Sequence, residues 1–298
     1  MTGTVSPSGV PLRPRARPEA VKPRGLSHRG PIYWGAFAAC CALAVVFAFP
    51  LYWMTVGSFK TSASINLIPP QWWPSPPSLI NYQHLFLLYP TARWALNSFI
   101  VAGCATVLSI FFGSMAGYAF AKFRFPFART LFIVLIMAML MPRVLVLVPL
   151  YILVVHLGWL NTYYGLVLPV VAIPYATFLF RQFLRTVPNE ITGAARVDGA
   201  SEWSIYWRII LPLSKPAIGV IGVLTFVTAW SDYTWQLIAV TNEDMETLPV
   251  AITTAITART TDYGLGMAAA TVAAIPMFLI FLGFQRHFVK GLTLGAIK

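Results

Sequence analysis

Six stretches of this chain run for about 20 residues or more with at most one acidic or basic side chain in each. An α-helix rises about 1.5 Å per residue, so about 20 apolar residues are needed to cross a hydrocarbon core of about 30 Å. Each stretch is long enough to span a bilayer, which predicts an all-α, polytopic membrane fold with about six transmembrane helices. The stretches lie at about 33–58, 95–121, 130–155, 163–184, 216–240 and 264–284.

The composition also favours a membrane-embedded chain. Hydrophobic residues make up 58% of it and charged residues only 10%, whereas soluble domains carry about a quarter charged residues. The net charge of +12 does not indicate nucleic-acid binding, because the basic residues lie between apolar stretches rather than in one patch. Residues 1–32 are a basic segment rich in proline and arginine, and the apolar stretch after it is too long for a cleaved signal peptide. We expect a retained anchor and one membrane domain over 33–298.

Lysine and arginine are distributed unevenly among the loops, and these residues favour the cytoplasmic side of a membrane. They are frequent in segment 1–32, in the turn after the second stretch, in the loop after the fourth and in the C-terminal tail. The alternate loops hold only Lys60, Arg93 and Arg259. This distribution predicts that both termini are cytoplasmic and that 59–93 and 241–262 lie outside.

Two ionisable residues stand out inside the apolar stretches. Arg143 lies beside Pro142 in the third stretch, and Asp232 lies in the fifth. Charged groups are costly in lipid and usually face a cavity or a partner. Two interpretations are open: the residues line a pathway, or Arg143 bonds to a neighbouring helix carbonyl while Asp232 lies near the outer interface.

Gly113, Gly117 and Ala121 repeat a small side chain every four residues in the second stretch. Small residues at this spacing lie on one helix face and permit a close approach of another membrane helix. The pattern indicates packing rather than a binding site.

The loop between the fourth and fifth stretches, about 188–212, carries strong helix-boundary signals. Pro188 suits a first helical position, Gly199 a left-handed C-terminal cap and Ser201 the N-cap of a second helix. These signals predict two short helices joined by a tight turn. The second helix has an apolar stripe at i, i+3, i+4 and i+7 that is expected to pack on the bundle. The stripe consists of Trp203, Tyr206, Trp207 and Ile210.

This loop resembles the cytoplasmic loop of ABC importer permease subunits, in which Glu-Ala-Ala is followed by Asp-Gly-Ala and then by Ile-x-Leu-Pro. The matching residues are Ala194, Ala195, Asp198, Gly199, Ala200, Ile209, Leu211 and Pro212. Gly193 stands where the family has its first glutamate, and glycine costs a helix about 1 kcal/mol relative to alanine. Glu190, one turn earlier, is a candidate substitute for that glutamate. The resemblance implies that the loop docks on a separate ATP-hydrolysing subunit and transmits its motion.

Other segments are similar to the carbohydrate branch of these permeases, which includes the smaller maltose permease subunit. They are Asn81-Tyr82 before Leu85-Phe86, Phe226 with Trp230-Ser231-Asp232, and the tail from Gln285 to Ala296. The resemblance therefore extends from about residue 33 to the end of the chain.

The resemblance implies a transport subunit in a prokaryotic cell membrane, not an enzyme. Its partners would be a homologous second permease, a dimer of ATPase subunits and an extracytoplasmic binding protein. ATP and magnesium would bind the ATPase, and this chain would hold no cofactor. The solute would be a sugar or oligosaccharide, or a related polar solute such as glycerol phosphate.

Four residues of the fifth stretch are candidates for lining the solute pathway. They are Trp230, Asp232, Tyr233 and Trp235. Aromatic faces and polar groups suit sugar recognition. The alternative is that these aromatic residues pack in the bundle or anchor it at the interface.

Other protein classes find less support in the sequence. A secondary transporter also has many spans, but only Asp232 is available as an ion-coupling carboxylate. The phosphate-binding pattern Gly-x-x-x-x-Gly-Lys-Ser/Thr is absent. The three cysteines and four histidines show no metal-binding spacing. We therefore expect neither a catalytic nor a metal site.

Overall fold

A computed structural model describes residues 30–257 and 262–294. Every regular element within these ranges is helical, which agrees with the predicted all-α membrane fold. The helices of the first part are α1 (Pro31–Ser58), α2 (Ser62–Ile65), α3 (Ile80–Leu87), α4 (Thr91–Lys122), α5 (Ala128–Leu140), α6 (Arg143–His156), α7 (Tyr163–Val167) and α8 (Ile173–Leu184). The helices of the second part are α9 (Asn189–Val197), α10 (Glu202–Ile205), α11 (Leu211–Leu213), α12 (Lys215–Trp230), α13 (Thr234–Ala239), α14 (Leu248–Ala251) and α15 (Tyr263–Leu294).

The chain divides into two compact units, residues 1–50 and 51–298. The described part of the first unit is helical from Pro31 onward, and its side chains from 33 to 50 are exposed. Residues 1–29 of the predicted basic segment lie outside the described residues. The second unit contains the hydrophobic clusters and the candidate functional sites.

Three helices are long and apolar enough to cross a membrane unaided: Tyr33–Ser58, Thr91–Lys122 and Tyr263–Gly283. Three helix pairs meet the same criterion together but bend at a short break. The bends are 97° between α5 and α6, 41° between Tyr163–Val170 and α8, and 75° between Glu202–Leu213 and α12. Counting each pair as one span gives up to six spans. The number agrees with the sequence, although the last pair includes Glu202–Leu213, which the sequence places in the loop before the fifth span.

The predicted third span, 130–155, was wrong as a continuous helix. α5 ends before Met141, which is extended with φ −66° and ψ 128°, and α6 begins after Pro142. Proline lacks an amide hydrogen and disfavours the helical conformation in the residue before it. Pro142 thus accounts for the break, and it brings Arg143 to the first turn of α6.

The predicted fifth span, 216–240, was also wrong as a continuous helix. α12 ends at Trp230, and the chain turns before α13 begins at Thr234. A carboxylate oxygen of Asp232 accepts the backbone N–H of Trp235 at 3.2 Å. Asp232 therefore satisfies a free amide at the start of α13 and stabilises a new helix instead of continuing the old one.

The glycines of α4 allow close contact with α8. A Cβ atom at Gly117 would lie 2.5 Å from the Cβ of Phe180, and one at Gly113 would collide with the Cβ of Ala176. No larger side chain fits there without moving a helix backbone. The predicted small-residue pattern is thus confirmed as a packing surface at these two glycines.

Two buried clusters lie at the two ends of α4. The larger one includes Trp94, Val101 and Ala105 from its N-terminal half. The smaller one joins the C-terminal end of α4 to the 188–212 loop, and its buried members are Tyr118, Leu184, Ala195, Ile205, Tyr206 and Ile210. Burial of these side chains fixes the loop against the helical bundle.

Candidate functional site

The 188–212 loop, called the coupling loop below, forms two short helices as predicted. α9 begins at Asn189, and Pro188 precedes it with φ −57° and ψ 141°. Pro188 was predicted at the first helical position and instead occupies the N-cap. Its missing amide hydrogen is harmless at either place, since the first amides of a helix have no intrahelical acceptor.

The turn after α9 has the predicted left-handed glycine. Gly199 has φ +80°, and its N–H donates to the carbonyl of Arg196 at 3.0 Å. The N–H of Ala200 donates to the carbonyl of Ala195 at 2.9 Å. This pair of hydrogen bonds is the Schellman motif, which satisfies the last carbonyls of a helix and reverses the chain sharply.

The second helix of the loop begins at its predicted cap and then changes its winding. The Ser201 hydroxyl accepts the N–H of Ser204 at 3.2 Å. From Tyr206 to Ile210 the helix is a π-helix, in which hydrogen bonds join residues i and i+5. Such segments are frequent at functional sites.

The buried side chains of this helix differ from the predicted apolar stripe. Tyr206 and Ile210 are buried as predicted, whereas Trp203 and Trp207 are 57% and 41% exposed. Ile205 is fully buried in their place. The predicted stripe assumed 3.6 residues per turn throughout, whereas the wider π turn begins at Tyr206, after Trp203 and Ile205. The predicted stripe was therefore correct for two of its four residues, Tyr206 and Ile210.

α4 holds the coupling loop through three polar side chains. The Ser114 and Tyr206 hydroxyls are 2.7 Å apart, and the Tyr118 hydroxyl donates to a carboxylate oxygen of Glu202 at 2.9 Å. The Lys122 Nζ donates to the carbonyl of Val187 at 2.5 Å and to the side chain of Asn189 at 2.8 Å. Sequence reasoning missed these contacts, although the spacing of four residues places all three side chains on one face of a helix.

An ion pair ties α9 to α10 across the turn. The Arg196 guanidinium donates to the two carboxylate oxygens of Glu202 at 2.5 and 3.3 Å. The hydrogen bond from Arg196 lowers the pKa of Glu202 below its usual value, and the same bond raises the pKa of Arg196. Glu202 thus joins α9, α10 and α4 at one carboxylate.

The predicted docking residues divide into an exposed and a packed group. Glu190, Ala194, Asp198 and Pro212 are exposed, and no other atom lies within 4 Å of a Cβ built at Gly193. Ala195 is buried, while Ala200, Ile209 and Leu211 are partly buried against the same cluster. Only the first group lies on a surface that a partner can reach, and Val197, which the sequence did not single out, is 88% exposed beside it.

A second candidate site lies where the helices break. Arg143 and Asp232 are 3.4 Å apart, with side-chain exposures of 60% and 8%. Neither interpretation from the sequence included this pairing. The two residues line a cavity of about 180 Å³ with Pro169 and Trp235. The paired charges leave the cavity with a polar wall and no net charge.

The other proposed pathway residues have mixed positions. Trp230 is 3% exposed, stacks on Phe226 at 5.6 Å between ring centroids and donates its indole N–H to the carbonyl of Ala273 at 3.2 Å. Trp235 is 4% exposed and donates to the carbonyl of Gly165 at 2.9 Å. Both indoles are buried in the core, and Trp235 also lines the cavity beside Asp232. Tyr233 is 36% exposed and does not line the cavity of Asp232.

A larger cavity of about 510 Å³ shares Arg143 and Pro169 with the smaller one. Its wall includes the hydroxyl side chains of Tyr175, Thr225 and Thr228. The buried Thr225 hydroxyl has no hydrogen-bond partner among the described residues. The sequence analysis did not identify this group, although Thr225, Thr228 and Asp232 are spaced by three and four residues, which is helical spacing.

Among the described residues no cluster of three or more histidine, cysteine, aspartate or glutamate side chains is arranged to hold a metal ion. Cys40, Cys41 and Cys104 are free thiols.

Comparison with known proteins gives consistent matches. The family described as binding-protein-dependent transport system inner membrane component matches residues 109–294. The arabinooligosaccharides transport system permease protein AraQ of Bacillus subtilis (strain 168) is 33% identical over 264 residues, covering 86% of this chain and 92% of AraQ. The sn-glycerol-3-phosphate transport system permease protein UgpE of Brucella abortus (strain 2308) is 34% identical over 258 residues, covering 84% of this chain and 92% of UgpE.

The lactose transport system permease protein LacG of Rhizobium radiobacter is 30% identical over 250 residues, covering 84% of this chain and 90% of LacG. Among solved structures, a chain of a bacterial ABC transporter involved in the import of the acidic polysaccharide alginate superimposes with a TM-score of 0.78. It is 19% identical and covers 89% of this chain and 99% of that chain. At this identity the likeness supports the fold alone.

Proposed function

Because this chain belongs to the family of binding-protein-dependent transport system inner membrane components, we propose that it forms one half of the pathway of an ABC importer for a sugar or oligosaccharide. A homologous second permease supplies the other half. Two ATPase subunits close on ATP and magnesium below the pair, and a binding protein delivers solute from the other side. This subunit moves solute and catalyses no covalent reaction.

The orientation follows from the basic loops. The coupling loop and both termini face the cytoplasm, where lysine and arginine concentrate. Residues 59–93 and 241–257 then face the binding protein. Arg93 and Asp244, which pair at 3.3 Å and are both more than half exposed, lie on that side.

The observation that carries the proposal is the geometry of the coupling loop. α9 is held to the bundle by its buried face, at Thr192 and Ala195, while Glu190, Ala194 and Val197 are exposed. An exposed valine beside charged groups suits a helix that inserts its outer face into a cleft of a partner. The Schellman turn and the Arg196–Glu202 pair make α9 and α10 one rigid piece. A partner that moves α9 therefore moves the whole loop.

The cavities at the broken helices suit a polar, uncharged solute. Arg143 and Asp232 neutralise each other, and the hydroxyls of Tyr175, Thr225 and Thr228 supply donors and acceptors that match sugar hydroxyls. Non-helical backbone at membrane depth is tolerated where it lines a water-filled cavity. Arginine also binds phosphate well, so a glycerol phosphate-like solute is the second candidate, and the exposed Arg143 favours it.

The importer is tested by uptake and by the solute that the binding protein selects. The chain is reconstituted in liposomes with its partner permease, its ATPase and its binding protein. A panel of neutral oligosaccharides and of sugar phosphates is screened against the binding protein by thermal shift, and the stabilising compounds are then tested for ATP-dependent uptake. We expect a neutral sugar to be taken up. ATP-dependent uptake of an anionic solute alone would contradict the sugar assignment, and uptake without ATP would contradict the importer itself.

Orientation has its own test. In a cysteine-free background, an impermeant maleimide added to intact spheroplasts should label Asp244→Cys and leave Ser201→Cys unlabelled until the membrane is opened. The reverse pattern would invert the proposed topology.

A further inference from the structure

α4 is the longest proline-free helix among the candidate spans that the structure describes. It has 32 residues and extends about 48 Å at 1.5 Å per residue. α1 and α15 contain Pro50 and Pro276, and the other three candidate spans are bent by 41° to 97°. α4 is therefore the element best suited to carry a displacement over its full length.

The N-terminal end of α4 holds the segment 243–248, called the outer segment below. The Trp94 indole donates to the carbonyl of Glu243 at 2.9 Å. The Asn97 side-chain amide donates to the carbonyls of Asp244 and Glu246, each at 2.9 Å. Trp94 and Asn97 are both buried, so these bonds are partly shielded from water.

Two more contacts complete this attachment. The Ser98 hydroxyl accepts the N–H of Leu248 at 2.8 Å, and the Arg93 Nε donates to the carbonyl of Asp244 at 3.0 Å. The acceptors and donors of the outer segment in all these bonds are main-chain atoms. These main-chain bonds fix the segment to α4, and the buried Leu248 side chain and the Arg93–Asp244 ion pair add to the attachment.

The C-terminal end of α4 holds the coupling loop through side chain–side chain bonds. Ser114, Tyr118 and Lys122 reach Tyr206, Glu202 and the start of α9, as described above. By contrast, the backbone route from the loop into α12 passes the 75° bend between Leu213 and Lys215. α4 thus offers an unbroken connection from the loop to the opposite side of the bundle.

We propose that α4 is a rigid strut that couples the coupling loop to the outer segment, with Tyr118 and Asn97 as the positioning residues at its two ends. Close contact with α8 at Gly113 and Gly117 prevents local bending, since packed interiors transmit displacement rather than absorb it. The inference rests on the proposed function, in which an ATPase moves α9 and a binding protein meets the outer segment. Nucleotide on one side then changes the outer surface on the other.

The test measures the maleimide reactivity of the outer segment while the nucleotide bound to the ATPase subunits is changed. Glu243→Cys is introduced into a chain whose three native cysteines are replaced by serine, because only the main chain of Glu243 contacts Trp94. The complete transporter is reconstituted, and the rate of maleimide labelling is compared without nucleotide and after trapping with ATP and vanadate. The ratio of the two rates measures coupling and needs neither the solute nor the binding protein.

We expect the two labelling rates to differ by about fivefold or more, which is the scale of coupling between linked sites. Tyr118→Phe and Asn97→Ala should each move the ratio toward one. The labelling ratio of the double variant should lie no closer to one than that of the more affected single variant, because both substitutions act on one route. If the two substitutions were independent structural defects about 30 Å apart along the helix, their effects on the ratio would instead add.

Asn161→Gly is the matched control. Asn161 accepts the N–H groups of Thr241 and Asn242 at 2.7 and 3.0 Å, so it anchors the same region from an element other than α4. Its φ of +57° is accessible to glycine. This variant should keep the nucleotide-dependent ratio of the unmodified chain.

Three results would overturn the strut. They are an unchanged ratio in Asn97→Ala and Tyr118→Phe, an additive loss in the double variant, and an equal loss in Asn161→Gly. A ratio of one in the unmodified chain, together with normal ATP-dependent uptake, would also refute the strut. The proposed importer function would remain supported by the uptake. Loss of uptake and of ATPase association in the unmodified chain would refute the importer itself.

Discussion

Replacing Gly199 by valine tests the coupling loop through its backbone alone. Gly199 has φ +80°, and no atom lies within 4 Å of a Cβ built there. The Cβ of valine therefore meets no steric obstacle from its surroundings, and the left-handed conformation carries a cost of its own. That cost is about 1–2 kcal/mol for a residue other than glycine, which corresponds to a factor of about 5 to 30 in the equilibrium between the closed and the opened turn.

Opening the turn breaks the two hydrogen bonds of the Schellman motif and releases α9 from α10. Gly199→Val should therefore lower ATP-dependent uptake and the stimulation of the ATPase together, by about fivefold or more. Membrane insertion should remain normal, because the transmembrane core lies elsewhere. The assay compares reconstituted transporters at equal amounts of inserted protein.

Two substitutions serve as controls for the backbone argument. Asparagine tolerates the left-handed conformation better than valine, so Gly199→Asn should retain most of the coupling. Gly193→Ala places a Cβ in equally open space inside α9 and should stabilise that helix by about 1 kcal/mol. Unmodified uptake and ATPase stimulation in Gly199→Val would show that the turn does not transmit motion. Equal losses of uptake and ATPase stimulation in all three variants would show that the left-handed conformation of Gly199 is not the cause of the loss.

Four further predictions concern other parts of the chain. Gly117→Val should lower the thermal midpoint of the purified complex through overpacking of about 1–3 kcal/mol, whereas Gly103→Val, which meets no atom within 4 Å, should change it little. Gly193→Glu restores the family glutamate and should preserve or tighten association with the ATPase in a pull-down, and weaker association would contradict a docking role for this face. Arg196 depresses the pKa of Glu202, so the pair stabilises the loop above the usual pKa of 4.5 and loses this effect as pH falls through the lower folded-state pKa. Trp203 fluorescence should report that acid transition, and Glu202→Gln should abolish it. The purified chain alone should not hydrolyse ATP, and turnover that persists after removal of contaminants would contradict the assignment of ATP hydrolysis to a separate subunit.

Local signals in the sequence were sufficient where one residue decides the backbone. Gly199 takes the left-handed conformation and Ser201 caps α10, because each depends only on neighbours within about five residues. The apolar stretches likewise identify the membrane spans, since the length of each stretch is a local property. Pro142 carried the signal for the break between α5 and α6, but the apolar stretch is long enough to be taken as one continuous helix.

Only the tertiary structure decided which distant residues meet. Arg143 and Asp232 are 89 positions apart, and Tyr118 and Glu202 are 84 apart, so no local pattern relates them. The hydroxyl contact between Ser114 and Tyr206 joins residues 92 positions apart and is likewise set by the packing of helices. Backbone preferences act over a few residues and are readable from sequence, whereas the partners of a polar side chain are determined by how whole helices pack. The sequence alone therefore determined a membrane bundle with a capped loop, and the packing of α4 decided how that loop is attached to it.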